Sequence, residues 1–141
     1  MNPPEVSREY SSVWANAPAY ARSMLDSPQA WSAGQPEKGQ WMQIDLGNTS
    51  CVSGVVTQGR AATNNYQRVT FYKIVHSVDN KTFTELPFIF SANLNPNSHA
   101  DTKVVNRFGP VQARFVRVVV QEWNNYPSMR AGVIAGDLGI L

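Results

Sequence analysis

From Trp41 to Leu46 apolar and polar positions alternate strictly. Met42, Ile44 and Leu46 fall on one side of an extended segment and Trp41, Gln43 and Asp45 on the other, the period of two that a half-buried β-strand requires. Val52 to Val56 resumes an apolar run after Gly47-Asn48, a dipeptide with the chemistry of a turn, so the two segments predict an antiparallel pair. Near the other end Ala113 to Gln121 places Phe115, Arg117 and Val119 on one face and Arg114, Val116 and Val118 on the other. The same criteria predict strands at Gln40 to Leu46, Val52 to Gln58, Val69 to Ser77, Phe83 to Leu86, Thr102 to Phe108, Ala113 to Glu122 and Ser128 to Ile134, separated by clusters of Gly, Pro, Asn and Asp. Residues 1 to 30 show no such period and carry Pro3, Pro4, Pro18 and Pro28, which predicts loop packed on the β-structure. No helix of ordinary length, repeat or low-complexity tract is visible. Many short antiparallel strands within 141 residues predict an all-β sandwich or jelly roll.

Bulk properties narrow the class of partner. A chain of 141 residues is the size of one domain, able to bury roughly 70% of its unfolded surface, so residues 1–141 are expected to form a single unit. Hydrophobic residues make up 43% and charged ones 16%, and no apolar run approaches the roughly 18 residues of a membrane helix. Net charge is +2, with Lys and Arg scattered singly, which argues against nucleic acid. The one cysteine, Cys51, begins an apolar strand and reads as a buried, reduced thiol. Asn48 and Asn80 open Asn-x-Ser/Thr sequons on turn-like sequence. Met1 to Ser7 holds no secretory leader, so the chain reads as intracellular or as a domain of a larger protein.

Catalytic constellations are missing. His76 and His99 are far apart, Cys51 has no evident histidine partner, and no Gly-x-Ser-x-Gly elbow or phosphate-cradling loop occurs. Asp26, Glu37, Asp45, Asp79, Glu85, Asp101, Glu122 and Asp137 are dispersed, without the paired spacing of acid–base work. The chain therefore reads as a non-enzyme, with His76 a structural histidine.

Ser11-Ser12, Ala21-Arg22 with Leu25-Asp26, Ala30-Trp31, the Trp41 to Gly47 segment and Thr57-Gln58-Gly59-Arg60 occur in that order. Ser77 with Asp79, Val105 to Phe108, Ala113 to Arg117, and Trp123 followed by Ser128-Met129-Arg130 complete the series. In order and spacing this chain resembles the discoidin family, the coagulation factor 5/8 type C domain. The resemblance implies an eight-stranded antiparallel jelly roll or distorted barrel of the galactose-binding-domain-like kind. It also implies a ligand site on three loops, or spikes, at one end. Departures are plain: the cysteine pair that ties the ends of many relatives is absent, and Ser32 stands where a cysteine often follows Ala-Trp. Extracellular or cell-surface placement is what the resemblance implies; the missing cysteine pair leaves an intracellular setting open.

Carried onto this chain, the first spike is Tyr10 to Ala17 with Trp14 and Asn16, the second Ser32 to Lys38 with Gln35, and the third Ala61 to Gln67 with Asn64, Asn65, Tyr66 and Gln67. Trp14 stands among small and polar residues and reads as an exposed platform, or alternatively as a ring folded back on Tyr20 or the barrel rim. Trp31 and Trp41 are assigned to the core. Arg60 looks towards the same mouth, and either meets ligand or holds the loops through a salt bridge; in collagen-binding relatives the matching arginine and first-spike tryptophan help form the binding surface. Some sugar-binding cousins hold a structural calcium, for which Asp26 is the one candidate here. Ala131 and Gly132 stand where a late glutamate is expected, so no metal or other cofactor is expected.

Spike composition separates the ligand classes. Lipid-binding spikes present several bulky apolar tips above a basic collar, whereas Val13, Trp14 and Tyr66 stand here amid Ser, Asn, Gln, Gly and Ala. Amides with one or two rings suit a sugar's hydroxyl rim and C–H face. The expected partner is a glycan or glycoprotein of the galactose or N-acetylgalactosamine kind, bound in adhesion or targeting, with an oligomer or multidomain parent supplying avidity. A protein partner is the alternative, and membrane lipid is less favoured.

Overall fold

Eight antiparallel strands make up one bent, open sheet in a computed structural model that describes residues 1–61, 66–95 and 99–136. They are β1 (Arg8–Tyr10), β2 (Trp31–Ser32), β3 (Trp41–Gln58), β4 (Arg68–Ser77), β5 (Thr84–Glu85), β6 (Phe90–Ser91), β7 (Val104–Asn124) and β8 (Ser128–Gly136). The N-terminal stretch is irregular, as its prolines predict, with short 3₁₀ turns at Glu5–Ser7, Trp14–Asn16 and Pro18–Tyr20. The strands β1, β2 and β6 escape sequence reasoning because two or three residues carry no measurable period. The stretch Phe83 to Leu86 is strand only at Thr84–Glu85.

The hairpin expected at Gly47-Asn48 does not form. Gly47 takes φ +85° and donates its N–H to Asp45 Oδ1 at 2.8 Å, and the ladder to β7 slips between Asp45 and Ser50. The chain therefore bends through a bulge and continues as one strand, β3. A turn and a bulge use the same glycine chemistry, and alternation on either side is indifferent to which occurs. The predicted strands Thr102 to Phe108 and Ala113 to Glu122 are likewise one strand, β7, running through Gly109-Pro110.

Those two bends create the layers. The first part of β3 pairs with β1 and with the end of β7, from Trp41↔Val119 to Asp45↔Phe115. Its second part pairs with β8 on one side and the start of β7 on the other. β4 extends the first layer beside β7, with β5 and β6 on its outer edge, and β2 extends the second layer beside β8.

Both layers supply one core. Met42, Ile44, Ile74, Val116, Val118 and Val120 join Val52, Val55, Met129, Ala131 and Val133 in a single cluster, together with fully buried Trp31 and Tyr72. Trp41 is a correction to the expected core. Period two sets it opposite Met42 and Ile44, and it lies half-buried on the outer face beneath the Arg117 guanidinium, 3.8 Å from its ring centre. Cys51 is a buried free thiol. His76 lies half-buried on β4, where burial lowers its pKa.

The first residues close against β8. The Met1 amino group donates to the Val133 carbonyl, and Val133 N–H donates back to the Met1 carbonyl at 2.9 Å. Gly132 permits this approach, since a Cβ there would sit 2.6 Å from Leu25 Cδ1 and 2.9 Å from the Met1 carbonyl oxygen.

Candidate functional site

The loops at one end of the sheet rest on a buried arginine. Arg130, at the start of β8 and only 1% exposed, donates from Nε to Gly59 O at 2.8 Å and from Nη1 to Ser27 O at 2.9 Å. Its Nη2 donates to Ala100 O at 3.0 Å and to Asp101 Oδ1 at 2.6 Å. One guanidinium thus ties together the Ser27 loop, the end of β3 and the loop before β7. Five fixed donors let Arg do what a Lys point charge cannot.

The first spike is locked with equal economy. Ser12 carbonyl accepts the Trp31 indole N–H at 2.8 Å, Ser12 Oγ accepts Gly34 N–H at 2.8 Å, and Ser11 Oγ donates to Gln40 Oε1 at 2.7 Å while accepting Trp41 N–H at 2.9 Å. A Cβ at Gly34 would fall 2.9 Å from Ser12 Cβ, so glycine allows the first and second spikes to touch. Ala15 and Asn16 both adopt positive φ, +54° and +49°, a conformation costing a non-glycine residue on the order of 1 kcal/mol. The serine network holds the turn in place against that cost and presents Trp14 at its tip.

Trp14 is 46% exposed and meets Tyr20 edge to face, with ring centres 5.0 Å apart. Both sequence-level alternatives are thus partly realised: one side of the indole packs on Tyr20 and the rest faces solvent. Between the spikes lies a pocket of about 160 Å³ lined by Trp14, Tyr20, Ser32, Arg60, Gln67 and Tyr126. Arg60 is the polar centre of its wall. Its Nε donates to Gln29 Oε1 at 2.7 Å, its Nη1 donates to Gln67 Oε1 at 2.8 Å, and its guanidinium carbon lies 5.3 Å from the Tyr20 ring centre. Gln67 Oε1 also accepts from Ser128 Oγ at 3.3 Å, and Ser128 shares a 2.8 Å hydrogen bond with Ser32 Oγ. The salt bridge considered for Arg60 is not seen among the described residues; amide oxygens hold it instead.

Of the residues expected from sequence, Trp14, Arg60 and Gln67 line this pocket together. Asn16 and Gln35 are exposed on the first and second spikes but do not line it. Tyr66 is 43% exposed and borders a separate, smaller cleft with Gly59, Arg68, Asn93, His99, Ala100 and Thr102. Asn64 and Asn65 lie outside the described residues. Tyr20, Gln29, Ser32 and Tyr126 join the site without having been chosen as ligand-binding residues. Tyr126 had a signal, an aromatic residue inside the Asn-Asn-Tyr-Pro turn between β7 and β8; its hydroxyl donates to Ala33 O at 2.7 Å. Gln29 had none, because its role depends on contact with Arg60 across the fold.

The residues around Asp26 do not fit a calcium ion. Its carboxylate accepts from Lys103 Nζ at 2.9 Å and from Gln58 Nε2 at 3.0 Å, and the Lys103 hydrogen bond holds its pKa below the usual carboxylate range. A cation there would meet an ammonium already in place, with Ala131 and Gly132 offering no side-chain oxygen.

Residues 5–133 match the model of the F5/8 type C domain family. Lactadherin from Bos taurus is 34% identical over 127 residues, covering 83% of this chain and 29% of lactadherin, so the chain spans under a third of that relative. Among solved structures, wild-type discoidin II from Dictyostelium discoideum superposes with a TM-score of 0.70 at 23% identity, over 91% of this chain and 53% of that one. The CBM32 of AlyQ, in complex with 4,5-unsaturated mannuronic acid, superposes with a TM-score of 0.67 at 19% identity, over 95% of this chain and 98% of that one. By sequence and by fold alike, the chain belongs to the F5/8 type C, or discoidin, domain family.

Proposed function

We propose that residues 1–141 form a non-catalytic carbohydrate-binding module, acting outside the cell or at its surface, which grips one sugar ring in the pocket between Trp14, Arg60, Gln67 and Tyr126. The half-exposed Trp14 carries this reading, because it walls a pocket of ring size beside a guanidinium and a side-chain amide. An indole face takes the C–H side of a pyranose, while Arg60, Gln67 and the Ser32 and Tyr126 hydroxyls address its rim. The AlyQ module, a fold neighbour, is a sugar-binding precedent for this architecture. Galactose and N-acetylgalactosamine, the sugars of many discoidin lectins, are the first neutral ligands to try.

Affinity at one such site is low. A ring of about 12 heavy atoms at roughly 0.3 kcal/mol each gives about −4 kcal/mol, a dissociation constant on the order of 1 mM. Useful adhesion then comes from several copies, through oligomerisation or a multidomain parent.

An NMR titration of the ¹⁵N-labelled domain with methyl galactoside and with N-acetylgalactosamine tests the reading. Saturable shifts of the Trp14 indole N–H and the Arg60 side-chain N–H, lost in Trp14→Ala, are expected. The absence of shifts, with anionic vesicles bound instead through Trp14, would transfer the pocket to the membrane class.

A further inference from the structure

We infer that the sugar selected by this pocket carries a carboxylate, so that a hexuronate rather than a neutral hexose is its preferred ligand, with Arg60 as the carboxylate-binding group. The inference rests on the glycan reading and adds the ligand's charge to it.

Charge balance in the pocket is the first observation. Its lining residues, Trp14, Tyr20, Ser32, Arg60, Gln67 and Tyr126, include one cation and no acid. In sequence the neighbouring stretch Arg60 to Arg68 holds no Asp or Glu. The carboxylate of Asp26, two residues before Pro28, is engaged by Lys103 and Gln58. Gln29 and Gln67 orient the Arg60 fork through amide oxygens without neutralising it.

Four other arginines are already engaged elsewhere, while Arg68, which is buried, donates from Nε to Asn93 O at 2.9 Å and does not line this pocket. Arg114 meets both Asp45 oxygens at 2.8 and 3.0 Å, Arg130 meets Asp101 at 2.6 Å, and Arg8 has Glu5 at 3.8 Å. Arg117, like Arg60, is met by an amide oxygen, that of Gln43, but aromatic rings at 3.8 Å and 4.2 Å, from Trp41 and Phe83, cover it. Arg60 has Tyr20 at 5.3 Å and the pocket. A guanidinium held in place by neutral acceptors is preorganised for a planar anion, which takes two parallel charge-assisted hydrogen bonds where a hydroxyl takes one.

Methyl galactopyranosiduronic acid, with its C6 carboxylate free, and methyl galactopyranoside of the same anomer differ at C6 alone and serve as the probe pair, with binding read by NMR titration or calorimetry. The uronate is expected to bind about tenfold tighter in low salt, and the gap to narrow in about 0.5 M NaCl, where screening acts within a few ångströms. Arg60→Gln should bring the two sugars to equal affinity and Arg60→Lys should keep a preference for the acid, while Trp14→Ala loses both. Should Arg60→Gln disturb the loops, the wild-type pair and its salt dependence still decide. Equal or tighter binding of the galactoside overturns the acid preference and leaves the glycan reading standing. A preference that survives Arg60→Gln overturns the assignment to Arg60. Failure of both sugars, with capture by phosphatidylserine vesicles, overturns both readings.

Discussion

Replacing Arg130 with methionine should be among the most damaging single changes near the candidate site, although Arg130 does not line the pocket. Methionine matches much of the side-chain volume, so cavity formation is minor and the loss is polar. Three backbone carbonyls, of Ser27, Gly59 and Ala100, lose their donor beneath the loops. Each unsatisfied buried acceptor costs about 1–3 kcal/mol, less where water can enter. The Asp101 side chain is 56% exposed and rehydrates, so its ion pair adds little. The sum is about 3–5 kcal/mol, the range for removing one partner of a buried charged network. For a domain of this size that corresponds to a fall in melting temperature of roughly 10–20 °C. Urea unfolding gives the free energy, and amide shifts of Arg60, Gln29 and Gln67 report whether the pocket moves, since Gly59 adjoins Arg60 in the chain. A loss below about 1 kcal/mol at unchanged m-value, or a large loss with unmoved pocket shifts, would refute the claim that Arg130 anchors the site.

Trp14→Ala should cost about 2–3 kcal/mol in urea unfolding, since the residue is 46% exposed and removes only about 100 Å² of apolar surface from water at roughly 25 cal/mol per Å². Fully buried Trp31→Ala should cost about 3–5 kcal/mol, and equal losses for the two would place Trp14 in the core. Acid should weaken the fold in two stages. Burial lowers the His76 pKa, so its contribution is present above about pH 6.5 and is lost as pH falls towards its folded value. Hydrogen bonds from Arg114 lower Asp45, and backbone N–H groups of Thr82 and Lys81 lower Asp79, so their contributions are present above about pH 4 and are lost below it. Melting temperatures between about pH 3 and 8 should show both stages and His76→Gln only the second; a flat curve from pH 7 to 5 contradicts the first. Cys51, 8% exposed, should react with a thiol reagent over hours in the native state and within seconds in guanidinium, and immediate native reaction would contradict its burial.

The alternation of Met42, Ile44 and Leu46, and of Val116, Val118 and Val120, was enough to establish strands and their inward faces, because period two is a local property of an extended chain. The family pieces, in order from Ser11 to Arg130, carried the discoidin fold and the expectation that three loops share one end. Local sequence could not tell a hairpin at Gly47-Asn48 from a bulge, since both use a positive-φ glycine and the difference lies in which strand pairs alongside. Trp31 and Trp41 look alike in sequence, yet only one enters the core, because the other occupies the outward phase of its strand beneath Arg117. The residues in and around the candidate pocket divide the same way. Trp14, Arg60 and Gln67 were legible as a ring, a cation and an amide on loop sequence, whereas Gln29 and Tyr126 acquired their places through contacts spanning 31 and 93 residues. Such contacts exist only after the bends in β3 and β7 have stacked two layers and brought their loops to one end, so tertiary structure alone decided the charge balance around Arg60.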